Sequence, residues 1–140
     1  MANNEPKQII VVRKDLNMRR GKQIAQGCHA SLKAILDLGK IVRTHPQESD
    51  EALIIDITQH FNPALHQWIT GRFTKICVYV NSELELLDLY NQAKEAGLIC
   101  SLIQDAGLTE FGGVPTYTVA AIGPAFPEEV DPITKHLPLL

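Results

Sequence analysis

Two stretches of this chain carry side chains that could do chemistry together. Lys22, Gln26 and His29 recur at i, i+4 and i+7, with Lys33 at i+11. On a helix turning about 100° per residue they form one polar stripe. Further on, Asp105 is followed by Thr109, Thr116 and Thr118. A carboxylate, a lysine and hydroxyls can hydrolyse an ester without a covalent intermediate. Asp105 would orient or deprotonate water. Lys22 would stabilise a developing oxyanion or a nearby phosphate, and threonine hydroxyls would hold the water or the scissile carbonyl. Each feature also has a plainer reading. The stripe can be a solvated boundary face, and the carboxylate of an Asp-x-Gly sequence commonly bonds its own turn.

Other chemistries lack their motifs. There is no G-x-S-x-G, no H-E-x-x-H and no G-x-x-x-x-G-K-[ST]. The histidines at 29, 45, 60, 66 and 136 have no metal-ligand spacing, so no metal or other cofactor is expected. Cys28 and His29 are not a dyad, because helix neighbours point about 100° apart. Cys28 and Cys77 sit in apolar patterns and are expected as small core residues. Three cysteines without a C-x-x-C fit a reducing cytoplasm. No apolar run approaches the roughly 18 residues of a membrane span, and the start lacks a signal-peptide pattern.

These groups need elements to position them. The apolar run 9–12 places a buried strand over 8–13, followed by a loop over 15–20. A helix runs from Arg20 or Gly21 to near Gly39, with Ile24, Ala25, Cys28, Leu32, Ile35 and Leu36 as its core-seeking face. Residues 41–50 are a connection, and Ser49 or Asp50 caps a short helix through about Gln59. Asn62-Pro63 starts a helix through Thr70 that Gly71 stops, with Trp68 as a core anchor. A strand over 75–80 precedes a helix capped by Asn81 or Ser82 with Glu85, ending at Gly97. Strands over 98–104 and 116–123 and a short helix near 127–136 complete the chain.

The order β-α-α-α-β-α-β-β-α predicts an α/β sandwich in a single domain over 1–140. The second and third strands should be parallel, joined by a right-handed crossover. The third and fourth either pair antiparallel or lie apart. Net charge is −3, but its distribution is uneven. Residues 1–46 hold nine Lys/Arg against three Asp/Glu, net +6, and residues 47–140 hold four against thirteen, net −9. The cluster Arg13, Lys14, Arg19, Arg20 and Lys22 is a local anion footprint on an acidic body.

Arg13-x-Asp15-Leu16-x-Met18-x-x-Gly21-Lys22-x-x-Ala25-Gln26-x-x-His29-Ala30 resembles the first motif of the type 2 peptidyl-tRNA hydrolases. Ser101-Leu102-Ile103-Gln104-Asp105-Ala106-Gly107-Leu108-Thr109, with Thr118-Val119-Ala120-Ala121-Ile122-Gly123-Pro124, resembles that family's other motif. The resemblance spans nearly the whole chain. It implies a three-layer α/β/α fold with a four-stranded mixed sheet flanked by helices on both faces. It implies metal-free cleavage of the ester between an N-blocked aminoacyl or peptidyl group and the terminal ribose of tRNA.

On that reading the catalytic set is Lys22, Asp105, Thr109, Thr118 and His29. The substrate-binding set is Arg13, Lys14, Arg19, Arg20, Gln26 and Thr116. The basic residues would hold acceptor-stem phosphates and 2′-hydroxyls, as A-form RNA requires. A cytoplasmic homodimer with tRNA as partner is expected, and no membrane. The chain departs from the family pattern at Leu108, where an arginine is frequent, and at Arg19, where a glycine is usual. The loop 105–118 is about one residue longer than the commoner form, so Thr116 and Thr118 compete for one role. The segment 43–62 is also longer than in compact relatives. Two rivals are a non-catalytic interaction module of the same fold and a deacylase of another aminoacyl-RNA ester. Joint presence of Lys22 and Asp105 in one cleft distinguishes an enzyme from the former.

Overall fold

The computed structural model describes residues 4–43, 51–108 and 110–140. The apolar run forms β1 (Lys7–Arg13), buried on both faces. A 3-10 turn over Lys14–Leu16 leads to α1 (Arg20–Leu36). Then come β2 (Lys40–Arg43), β3 (Glu51–Ile54), α2 (Pro63–Thr70) and β4 (Lys75–Val80). The chain closes with α3 (Glu83–Glu95), β5 (Cys100–Asp105), β6 (Thr116–Ala125) and α4 (Pro127–Thr134). Local signals set several boundaries. The Asn62 side chain accepts from the Leu65 amide at 3.0 Å, with Pro63 at the first helical position. The Ser82 hydroxyl accepts from the Glu85 amide at 3.1 Å.

The main sheet has the order β4-β1-β6-β5 and is mixed. β1 and β4 are parallel, while β6 runs antiparallel to both β1 and β5. Strands β1, β4 and β5 therefore share one direction, and their carboxyl ends lie at the same end of the sheet. Helices cover both faces, giving three α/β/α layers. α3 and α4 pack over Ile9, Val11, Val78, Val80 and Ile122. α1 packs over Ile10, Val12, Val119 and Ala121. The Trp68 indole is buried and donates to the Thr74 carbonyl at 2.8 Å, as suits a core anchor.

The second and third long strands, β4 and β5, run parallel as expected, with β1 and β6 between them. Four expectations are corrected. The first two, the connection after α1 and the helix expected to reach Gln59, give way to a hairpin of β2 and β3, with Ile41 opposite Leu53. Ala52 to Ile55 is a short continuous apolar run ending in two β-branched residues, which suits a strand better than a helical turn. Its proposed caps, Ser49 and Asp50, lie outside the described residues.

The third correction concerns the face of α1. Ile24 and Leu32 are 62% and 59% exposed, and Leu36 is exposed too. The buried stripe is Gln26, Gly27, Ala30 and Ala34. Small side chains let the helix axis come close to the sheet. A Cβ placed on Gly27 would already meet Ile10 Cγ2 at 3.6 Å. The fourth correction follows from the third: Cys28 and Cys77 are exposed rather than core residues. Both line a groove of ≈ 660 Å³ between α1, α2 and β4.

Candidate active site

β1 ends at Arg13 and α1 starts at Arg20, so the first turns of α1 sit at the shared carboxyl end of the parallel strands. This is where open α/β sheets bind ligands. Asp105 is the last residue of β5. Its Oδ1 accepts from Lys22 Nζ at 2.8 Å and from Gln26 Nε2 at 3.3 Å. Lys22 and Gln26 reach the same oxygen because residues four apart on a helix are stacked. Oδ2 accepts from the Gly107 amide at 2.8 Å. The turn-capping role of an Asp-x-Gly carboxylate and the site role thus belong to one side chain, one oxygen each. Lys22 and Asp105 side chains are 15% and 14% exposed, so the pair is shielded but still open to a ligand.

The hydrogen bond from Lys22 holds the Asp105 carboxyl below its ordinary range. Burial opposes this, while the Gly107 amide, the Lys22 charge and Gln26 add to it. Gly107 has φ +82°, and a Cβ there would lie 2.3 Å from the Val114 carbonyl oxygen. The loop is drawn closed by Gly113 donating to the Gly107 carbonyl at 2.7 Å. The Phe111 ring, from that loop, lies 5.7 Å from Lys22 Nζ.

Thr118 enters through an irregularity. Ile103 pairs with Val119, but Gln104 pairs with Tyr117, which leaves Thr118 as an extra residue in β6. This is a β-bulge, and a bulge re-aims side chains. Without it Thr118 would share a face with Ala120 and Ile122, which lie in the core beneath α3. With it, the buried Thr118 hydroxyl donates to Gln26 Oε1 on α1. Thr116 stands opposite Asp105 in register, but its hydroxyl donates to the Val114 carbonyl at 2.8 Å.

The structure brings together Lys22, Gln26, Asp105 and Thr118. It does not bring His29 to them: His29 is exposed and lies two helical turns, about 10 Å, beyond Lys22 along α1. Thr109 lies outside the described residues. The basic residues divide. Arg13 is turned inward, with its side chain 11% exposed, paired with Asp15 at 2.7 Å and donating to the Tyr117 carbonyl at 3.0 Å. Lys14 lies over the Tyr79 ring at 4.3 Å. Arg19, 92% exposed, is 3.8 Å from Glu110. Arg20 is exposed and borders the apolar groove. The Asp-x-Gly turn at Gly107 was legible in the sequence, whereas sequence reasoning missed Phe111 and the bulge.

Comparison with known sequences and structures identifies the family. The family described as peptidyl-tRNA hydrolase PTH2 matches residues 6–140. A peptidyl-tRNA hydrolase of Methanocaldococcus jannaschii is 42% identical over 134 residues, covering 96% of this chain and 99% of its own length. One from Methanothermobacter thermautotrophicus is 39% identical over 134 residues, covering 96% and 99%. A probable peptidyl-tRNA hydrolase 2 of Dictyostelium discoideum is 40% identical over 137 residues, which is 95% of this chain but 54% of that longer protein. A solved structure of a protein of unknown function from Agrobacterium tumefaciens shares the fold at TM-score 0.53 and 10% identity, covering 97% and 98% of the two chains. With its two motifs meeting at one site and a family match over nearly its whole length, the chain belongs to the PTH2 family of peptidyl-tRNA hydrolases.

Proposed function

We propose that the Lys22–Asp105 pair is the hydrolytic centre for the ester joining a peptidyl group to the 3′-terminal ribose of tRNA. The observation that carries this reading is the 2.8 Å contact between Lys22 Nζ and Asp105 Oδ1 at the carboxyl end of the parallel strands. Water adds to the ester carbonyl, and the ammonium of Lys22 donates a hydrogen bond to the oxyanion that forms. Collapse expels the ribose 3′-oxygen, which takes the proton given up by the attacking water, and the product acid releases its own proton to solvent and leaves as the peptide carboxylate. Asp105, with both oxygens engaged and its carboxyl held acidic, is a weak base. Its role is to fix Lys22 and orient water.

An ammonium aimed at the oxyanion supplies the charge that a Lewis acid would otherwise provide, so the reaction is proposed as metal-independent. Lys14, Arg19 and Arg20 are exposed at this end of the sheet and suit phosphate contacts. Arg13, already paired with Asp15, suits a role in holding the loop. The protein is further proposed as a homodimer, because Ile24, Cys28, Leu32 and Leu36 form an exposed apolar stripe along α1. A cytoplasmic location accords with a tRNA substrate and three free thiols.

The test is release of N-acetyl-aminoacyl groups from tRNA, run beside unblocked aminoacyl-tRNA and with excess chelator. Cleavage of the blocked substrate alone, unaffected by the chelator, is expected. Equal cleavage of both substrates would point to a general deacylase, and loss with chelator that a divalent ion restores would overturn metal independence.

A further inference from the structure

We infer that Thr118 and Gln26 are positioning residues for Asp105, and that the β-bulge at Thr118 is the device that builds them into the site. The inference rests on the reading of Lys22 and Asp105 as the hydrolytic centre. Thr118 is 0% exposed and Gln26 3% exposed, so neither presents a group to a substrate. What they present is a chain of bonds: Thr118 Oγ1 to Gln26 Oε1, and Gln26 Nε2 to Asp105 Oδ1.

The direction of that chain matters. A carboxamide has one accepting end and one donating end. Turned the wrong way, Gln26 would set its oxygen against the Asp105 carboxylate. The Asp105 carboxylate only accepts and so takes Nε2, and the Thr118 hydroxyl holds the amide in that place by donating to Oε1. Asp105 is then held at one oxygen by Lys22 and Gln26 and at the other by the Gly107 amide. Of these partners only Lys22 is charged. Arg19, before α1, and Glu110, in the loop after β5, pair with each other. Regular alternation would send Thr118 into the core with Ala120 and Ile122 and leave Gln26 without its hydroxyl partner.

The experiment follows the Asp105 carboxyl by carbon NMR in tRNA-free protein, with turnover of N-acetyl-aminoacyl-tRNA measured alongside. The variants are Thr118→Val, Thr118→Ser, Gln26→Leu and the double variant Thr118→Val/Gln26→Leu. Thr118→Val and Gln26→Leu should move the carboxyl titration upward, and Thr118→Ser should restore the wild-type curve. Turnover in the first two should fall roughly tenfold in kcat with KM little changed. The double variant should be no worse than Gln26→Leu alone, because the two residues act as one unit.

An unmoved titration in Thr118→Val, or a rise in KM at constant kcat, would overturn the inference. If Thr118→Val does not fold, Gln26→Leu and Thr118→Ser decide it in the same way. The titration needs no substrate. A wild type inactive on N-acetyl-aminoacyl-tRNA would therefore defeat the hydrolase reading while the positioning claim stood or fell on its own data.

Discussion

On one flank of α1, Lys22 and Gln26 carry a charge and an amide and are largely withdrawn from water. On the other flank of the same helix, Ile24 and Leu32 are 62% and 59% exposed. The polar flank faces Asp105 and Thr118, where each donor meets an acceptor in good geometry. Burying those groups is tolerable because their hydrogen bonds are made. The apolar flank borders the groove toward α2 and β4. Between the flanks lie Gly27, Ala30 and Ala34, small enough to let the helix settle on the sheet. Burial on α1 is thus decided by what each flank faces, not by how apolar it is.

Breaking the polar flank should have the largest effect. Lys22→Met keeps most of the stem and removes the positive charge, and Asp105→Asn keeps the shape and removes the negative charge that fixes Lys22. Each is expected to lower kcat by roughly 10²-fold or more in single-turnover assays. The double variant should lose less than the product of the two, since groups acting together are not additive. The pair should also show in acid titrations. The Asp105 carboxyl lies below its ordinary value of 3.8. A depressed folded value means that the pair's stabilisation is full above that ordinary value and is lost as pH falls through the folded one. Wild-type unfolding followed by circular dichroism should carry this acid-side component, and Asp105→Asn should lack it. Wild-type turnover in both single variants would remove the pair from the mechanism.

The apolar flank should behave in the opposite way. Leu32→Glu puts a charge where the chain already meets solvent, so folding stability should change by only about 0.5 kcal/mol or less. Turnover per chain should hold. Sedimentation at micromolar concentration should instead show a wild-type dimer becoming a monomer. A monomeric wild type, or a variant dimer of undiminished strength, would set aside the homodimer built on this face.

The smallest effect separates two arginines of the basic cluster. Arg19→Ala should weaken tRNA binding and reduce its salt dependence by up to about one unit of slope. Arg13→Ala should leave the slope nearly unchanged, because its charge is already paired with Asp15. Equal slopes in the two variants would mean that the tRNA runs elsewhere.

Much of this protein was legible in its residues. The β-rich runs located the four strands of the main sheet, and Asn62-Pro63 and the Ser82–Glu85 spacing located two helix starts, because these signals are local and act through neighbouring backbone groups. The i, i+4 spacing of Lys22 and Gln26 put both on one stripe, and the motifs pointed to Asp105 as their distant partner. Tertiary structure decided what depends on neighbours far away in the chain. Which stripe of α1 meets the sheet was set by close packing of Gly27, Ala30 and Ala34, against the larger apolar stripe. β4 and β5 were separated by β1 and β6, since a helical crossover leaves the choice of neighbour to the sheet as a whole. The turn of Thr118 toward α1 rested on one extra residue in a ladder. Strand pairing has a period of two, and a single bulge exchanges the faces of the side chains beyond it, which no local pattern in 116–118 records.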